Sequence, residues 1–131
     1  MNKVNSSGSW SSLTNQARKA RLRIIEISKR VSGAHIGGSF SVIDFLIAFY
    51  QIIVPKDKVK RKQFYRGVDG DYPKLVFSKG HCYLAQLAAL DTICGETKYC
   101  NEYLKEGTQY FGHPKRLVAN AHFPVSSGAL G

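Results

Sequence analysis

A chain of 131 residues with 44% hydrophobic content has enough apolar surface for one compact domain and too little for two. Nineteen Lys and Arg against nine Asp and Glu give a formal charge of +10, which suits polyanions: nucleic acid, phosphorylated metabolites or an acidic protein partner. No uninterrupted apolar run reaches the ~18–20 residues of a membrane span, and three cysteines without C-x-x-C spacing argue against a disulfide framework or a structural zinc site.

Residues 1–12 are polar and rich in Ser and Asn. They lack the apolar run and cleavage site of a signal peptide and are expected to form a disordered lead-in, with a single domain over 13–131. The missing secretory signal and the reduced cysteines suggest a cytoplasmic setting. From Leu13 to Val31, apolar residues at Leu13, Ala17, Ala20, Ile24, Ile27 and Val31 recur in steps of three and four, which predicts an amphipathic helix. Gly33 stops it. Gly37, Gly38 and Ser39 are expected to form a flexible connection to a second helix over Val42 to Ile53, with Ser41 as its N-cap and Asp44 at N3. That helix is apolar on most sides, as an interior helix is.

The basic run Lys56, Lys58, Lys60, Arg61, Lys62 has no interleaved aromatic platform, so it predicts an exposed loop and makes nucleic-acid binding a minor reading. A turn-rich patch over Gly67 to Pro73 follows. Its Gly67-Val68-Asp69-Gly70-Asp71 segment superficially resembles a metal motif, and an Asp/Gly turn is the reading preferred here. Leu75-Val76-Phe77 predicts one short buried strand. Ser78-Lys79-Gly80-His81 leads into a helix over Cys82 to Cys94 closed by Gly95. A shorter helix over Thr97 to Lys105 ends at Gly107, and loop follows to Gly131. His122 is expected at the surface. Several helices and one strand amount to a doubly wound α/β domain that is begun and not finished.

Three of the four histidines sit beside glycines: Gly33-Ala34-His35-Ile36-Gly37-Gly38, Ser78-Lys79-Gly80-His81 and Gly112-His113-Pro114. A glycine lets backbone approach a ligand closely, and an imidazole exchanges protons near neutral pH. His81 also follows the strand and opens a helix, where backbone N–H groups favour an anion.

In this order, with the Ser127 to Gly131 segment, these motifs resemble the N-terminal part of transketolases, in particular the split type built from two chains. The resemblance covers residues 13–131 and implies the helix-rich N-terminal portion of an α/β thiamine-diphosphate-binding fold. It implies that His35 and His113 face a ketose or aldose, free or phosphorylated, and assist proton transfer at its oxygens. It places His81 against the cofactor diphosphate and Gly128 and Leu130 against the thiamine rings. It further implies Mg2+ held by oxygen ligands outside this chain, an oligomer, and a C-terminal subunit supplying the glutamate that activates the cofactor. Ala34 stands where the family usually has Gly, and Lys115 where an acidic residue is common; Lys115 suits a phosphate or a carboxylate. Two alternatives come from other classes: a basic nucleic-acid-binding module and a non-catalytic scaffold subunit.

Overall fold

The computed structural model describes residues 6–117 and 119–126, with side chains from Trp10 onward. Gly128 and Leu130 lie outside the described residues. The described part holds five α-helices: α1 (Ser6–Arg30), α2 (Ile36–Ile53), α3 (Lys58–Tyr65), α4 (Tyr83–Cys94) and α5 (Lys98–Glu102). A 3₁₀ turn (Gly80–Cys82) leads into α4.

Helix α1 buries Ala17, Ala20, Ile24 and Ile27, the face that the periodicity marks out, and Gly33 follows it in the left-handed region at φ 84°. The helix takes in residues 6–12, assigned to a lead-in on composition. Once a helix is nucleated by a buried face, each added polar residue gains a backbone hydrogen bond at little cost. Trp10 and Ser12 there are exposed.

Helix α2 starts at Ile36, so Gly37, Gly38 and Ser39 are its first turn and not a flexible connection. The Ser41 hydroxyl donates backwards to the Gly38 carbonyl at 2.7 Å and caps nothing. The N-cap position belongs to His35. The longer helix is also long and apolar enough to cross a membrane by length and composition. Here it packs against α1 and α4, and Asp44 in its middle pairs with Arg21 of α1.

The basic run is helical where a loop was expected. The Asp57 carboxylate caps it by accepting from the Lys60 amide at 2.9 Å, and Phe64 and Tyr65 anchor its far end in the core. Conversely, Leu75-Val76-Phe77 carries no regular secondary structure, and no strand is present among the described residues. The segment still has the sidedness of a strand. Leu75 and Phe77 lie on the core while Val76 is 62% exposed. An isolated strand cannot satisfy its ladder of N–H and C=O groups, and here it has no neighbour to pair with.

Helix α4 is the spine. Leu84, Leu87 and Leu90 are buried together with Ala85, Ala88 and Ala89, whose small side chains admit α1 and α2 at close range. Gly95, at φ 73°, closes the helix in the left-handed conformation expected of it. A fully buried carboxylate, Asp91, ties the neighbours to this spine. It accepts from the Tyr65 hydroxyl at 2.6 Å, from the amides of Tyr99 and Cys100 at 3.3 and 2.9 Å, and from the Arg23 guanidinium at 3.3 Å. Those two amides open α5, so Asp91 serves as its cap from another helix. The expected helix over 97–105 shortens to Lys98–Glu102: Tyr103 is already extended at ψ 126°, and Leu104 follows at φ 52°.

His122 is buried, contrary to its expected surface position. Its ring sits among Phe64, Tyr72 and Tyr50, and Nε2 lies 2.6 Å from the Phe64 carbonyl. A carbonyl only accepts, so Nε2 carries the proton. Asn120 holds the loop beside it, accepting from the His122 amide at 3.0 Å and donating to the Tyr99 hydroxyl at 3.0 Å. Gly67, at φ 74°, leaves the room: a Cβ there would meet the Asn120 Oδ1 at 2.0 Å.

Burial disfavours the charged imidazole and pushes His122 from 6.5 down to about 4. The unfolded chain therefore takes up a proton first as the solution is acidified. The stability that neutral His122 contributes is complete above pH 6.5 and is lost as pH falls toward 4. Urea unfolding at pH 7 and pH 5 should show the native chain losing about 2 kcal/mol more than a His122→Gln variant. Equal losses in the two proteins would contradict the burial of a neutral ring.

Candidate functional site

The three glycine-flanked histidines come from three separate elements and meet at one place. His35 holds the N-cap position of α2, His81 sits in the 3₁₀ turn before α4, and His113 lies in the loop after α5. The ring centroids of His35 and His81 are 6.2 Å apart, and those of His35 and His113 are 5.7 Å apart, both edge-on. All three residues are exposed, so a ligand can reach them, in contrast to His122.

Two local devices fix this meeting point. The first is the contact between the start of α2 and the 3₁₀ turn. A Cβ on Gly38 would stand 2.4 Å from the His81 Cδ2 and 3.3 Å from the Cys82 Sγ, so the approach requires glycine. The Cys82 thiol donates to the Gly38 carbonyl at 3.1 Å and pins the two elements together. The second is the loop that carries His113. Leu104 adopts a left-handed conformation that costs a leucine on the order of 1 kcal/mol, and its amide donates to the Tyr110 carbonyl at 2.7 Å. Tyr110 packs on Tyr99 and Phe123, and Pro114 is buried directly after His113.

The surroundings favour an anionic or hydroxyl-rich ligand. No side chain caps α2, the 3₁₀ turn or α4. The Ser39 hydroxyl, in the first turn of α2, is buried without a hydrogen-bond partner, an uncommon and costly arrangement. The Lys115 ammonium lies 4.4 Å from the centre of the Phe111 ring and makes no ion pair among the described residues.

Other sequence candidates fall elsewhere. The Asp69 carboxylate accepts from the Gly70 amide at 2.9 Å and pairs with Lys74. The Lys74 ammonium holds that carboxyl below its usual range. This is a self-satisfied turn. Among the described residues no group of three or more His, Cys, Asp or Glu is arranged to hold a metal ion. The periodicity gave no sign of the Cys82 thiol as a pin of the site, because it reads as a small, semi-buried apolar residue until the start of α2 and the 3₁₀ turn are packed together.

No family profile and no solved structure matches the chain. Over 117 residues it is 32% identical to one subunit of the apulose-4-phosphate transketolase of Phocaeicola vulgatus. The alignment takes in 88% of this chain and 39% of that protein, so the chain spans about two fifths of the length of the curated relative it matches. The similarity is to a transketolase-type subunit.

The steric claim at Gly38 is testable directly. A Gly38→Ala change gains helix propensity of about 1 kcal/mol, which offsets much of the cost of rotating an exposed imidazole away. Thermal unfolding should therefore shift by only a few degrees, while the His81 imidazole resonances move and those of His122 do not. Unchanged His81 resonances would show that the close approach is absent.

Proposed function

We propose that this chain is a subunit, or part of one, of a transketolase-type transferase. The assembled enzyme moves a two-carbon ketol unit from a ketose, free or phosphorylated, to an aldehyde acceptor with thiamine diphosphate. The observation that carries this reading is the convergence of His35, His81 and His113 from three distant motifs onto one exposed site. The similarity to one chain of a split transketolase supports it.

The residues present suit the diphosphate end of the cofactor. His81 donates a hydrogen bond toward it, and Gly37 leaves the backbone open in the uncapped first turn of α2 beside it. Thiamine diphosphate, when bound, supplies the nucleophile and the electron sink. His35 and His113 bind the substrate hydroxyls, orient the carbonyl, and hold or release a proton at its oxygen. The described residues do not fit the Mg2+ site. In this reading its ligands lie outside this chain, and the activating glutamate belongs to a C-terminal partner subunit in an oligomer.

The fold enters the same proposal. The helices would form one part of a doubly wound α/β domain, with the alternating segment 75–77 as a strand that pairs once its parallel neighbours are present. A cytoplasmic setting goes with this reading.

The test uses the chain assembled with its partner subunit, Mg2+ and thiamine diphosphate, with apulose 4-phosphate as the first ketose to try. His81→Ala should lose most cofactor affinity by calorimetry. His113→Ala should retain that affinity and lose on the order of 10²–10⁴ in ketol transfer. Cofactor affinity unchanged by His81→Ala would overturn the assignment.

A further inference from the structure

We propose that α3 is a docking surface for an acidic segment of a partner polypeptide. This inference does not depend on the catalytic reading. Residues 56–66 carry six cations, Lys56, Lys58, Lys60, Arg61, Lys62 and Arg66, against the single carboxylate of Asp57, for a net charge of +5. That carboxylate is already engaged as the helix cap.

The two basic regions of the chain have different fates. Three of the six cations of α1 serve the fold: Arg21 pairs with Asp44, Arg23 reaches Asp91 and the Glu96 carbonyl, and Arg30 donates to the carbonyls of Cys100 and Asn101, while Arg18, Lys19 and Lys29 are exposed and spread along the helix. On α3, Arg61 alone is tied back, to the carbonyls of Pro55 and Lys56. Lys58, Lys60 and Lys62 are exposed and make no ion pair among the described residues.

Their placement also works against the helix. Lys58 and Lys60 lie in its first turn, which carries no acidic residue, where the positive end of the helix dipole disfavours cations. Lys58 and Lys62 are like charges one turn apart. A sequence that breaks local rules at an exposed site without an internal gain points to a function there. The relief is an external anion.

The shape selects the kind of anion. Lys58, Arg61, Lys62 and Tyr65 face Glu96 across a groove of about 220 Å³. Val59 is 66% exposed amid the lysines. A carboxylate across the groove interrupts a continuous phosphate track, and α3 offers an aliphatic side chain where a base would need an aromatic platform. Spaced carboxylates around an apolar residue fit both features, and a polypeptide supplies them.

The experiment measures fluorescence anisotropy of a labelled glutamate-rich peptide with a central leucine, titrated with the full chain at low and physiological salt. A single-stranded RNA and anionic vesicles serve as competing probes. Lys58→Glu/Lys62→Glu should weaken peptide binding by about tenfold or more, and Val59→Ser by about threefold. Arg18→Glu/Lys19→Glu, the same change in net charge on α1, should alter it by less than about twofold. Equal losses in the two charge-reversed variants, tighter binding of RNA or vesicles than of the peptide, or no binding at low salt would each overturn the proposal.

Discussion

The approach of α2 to the 3₁₀ turn before α4 sets the positions of two of the three site histidines, His35 and His81. It happens at a residue without a Cβ, Gly38, and it is pinned by a thiol hydrogen bond from Cys82. Because His35 immediately precedes α2 and His81 lies within that turn, closing this contact places the two imidazoles side by side. A Cβ at 38 would displace the exposed His81 imidazole from its place beside His35. Glycine within a helix costs stability, so Gly38 reflects the close approach of His81 and not a demand of the helix.

The third histidine depends on a different kind of constraint. His113 rides on a loop anchored by buried tyrosines, and those anchors rest on a polar network around α4. Asp91 is the central acceptor of that network; it joins α1, α3 and α5 to α4 through charge-assisted hydrogen bonds to a buried carboxylate. Asn120, Gln86 and His122 extend it to the following loop, with Gln86 donating to Tyr50 and to the His122 carbonyl. A buried network of this kind stabilises only when all its members are satisfied. Its satisfaction explains how a helical unit with an unpaired strand-like segment holds an ordered loop beside an exposed site.

Much of this was legible in the sequence. The α1 stripe, the left-handed Gly33 and Gly95, and an apolar second helix follow from periodicity and glycine chemistry, and three histidine motifs stood out by their glycines. What was not legible depended on tertiary contact. The start of α2 at Ile36 puts two glycines in its first turn, which local propensity disfavours. The basic run became helical because Phe64 and Tyr65 anchor it from one end. His122 has the same composition of neighbours as a loop residue, and only the folded arrangement of Phe64, Tyr72 and Tyr50 turns its surroundings into a core. The segment 75–77 keeps the alternation of a strand, while pairing needs partners that the described residues do not provide.

The central claim is that three imidazoles from distant motifs share one site. A nuclear Overhauser spectrum of the chain with assigned histidine ring protons tests this most directly. Cross-peaks are expected from the His35 ring to the rings of both His81 and His113. Their absence from a spectrum in which His122 still shows its contacts to Phe64, so that the fold is demonstrably intact, would contradict it.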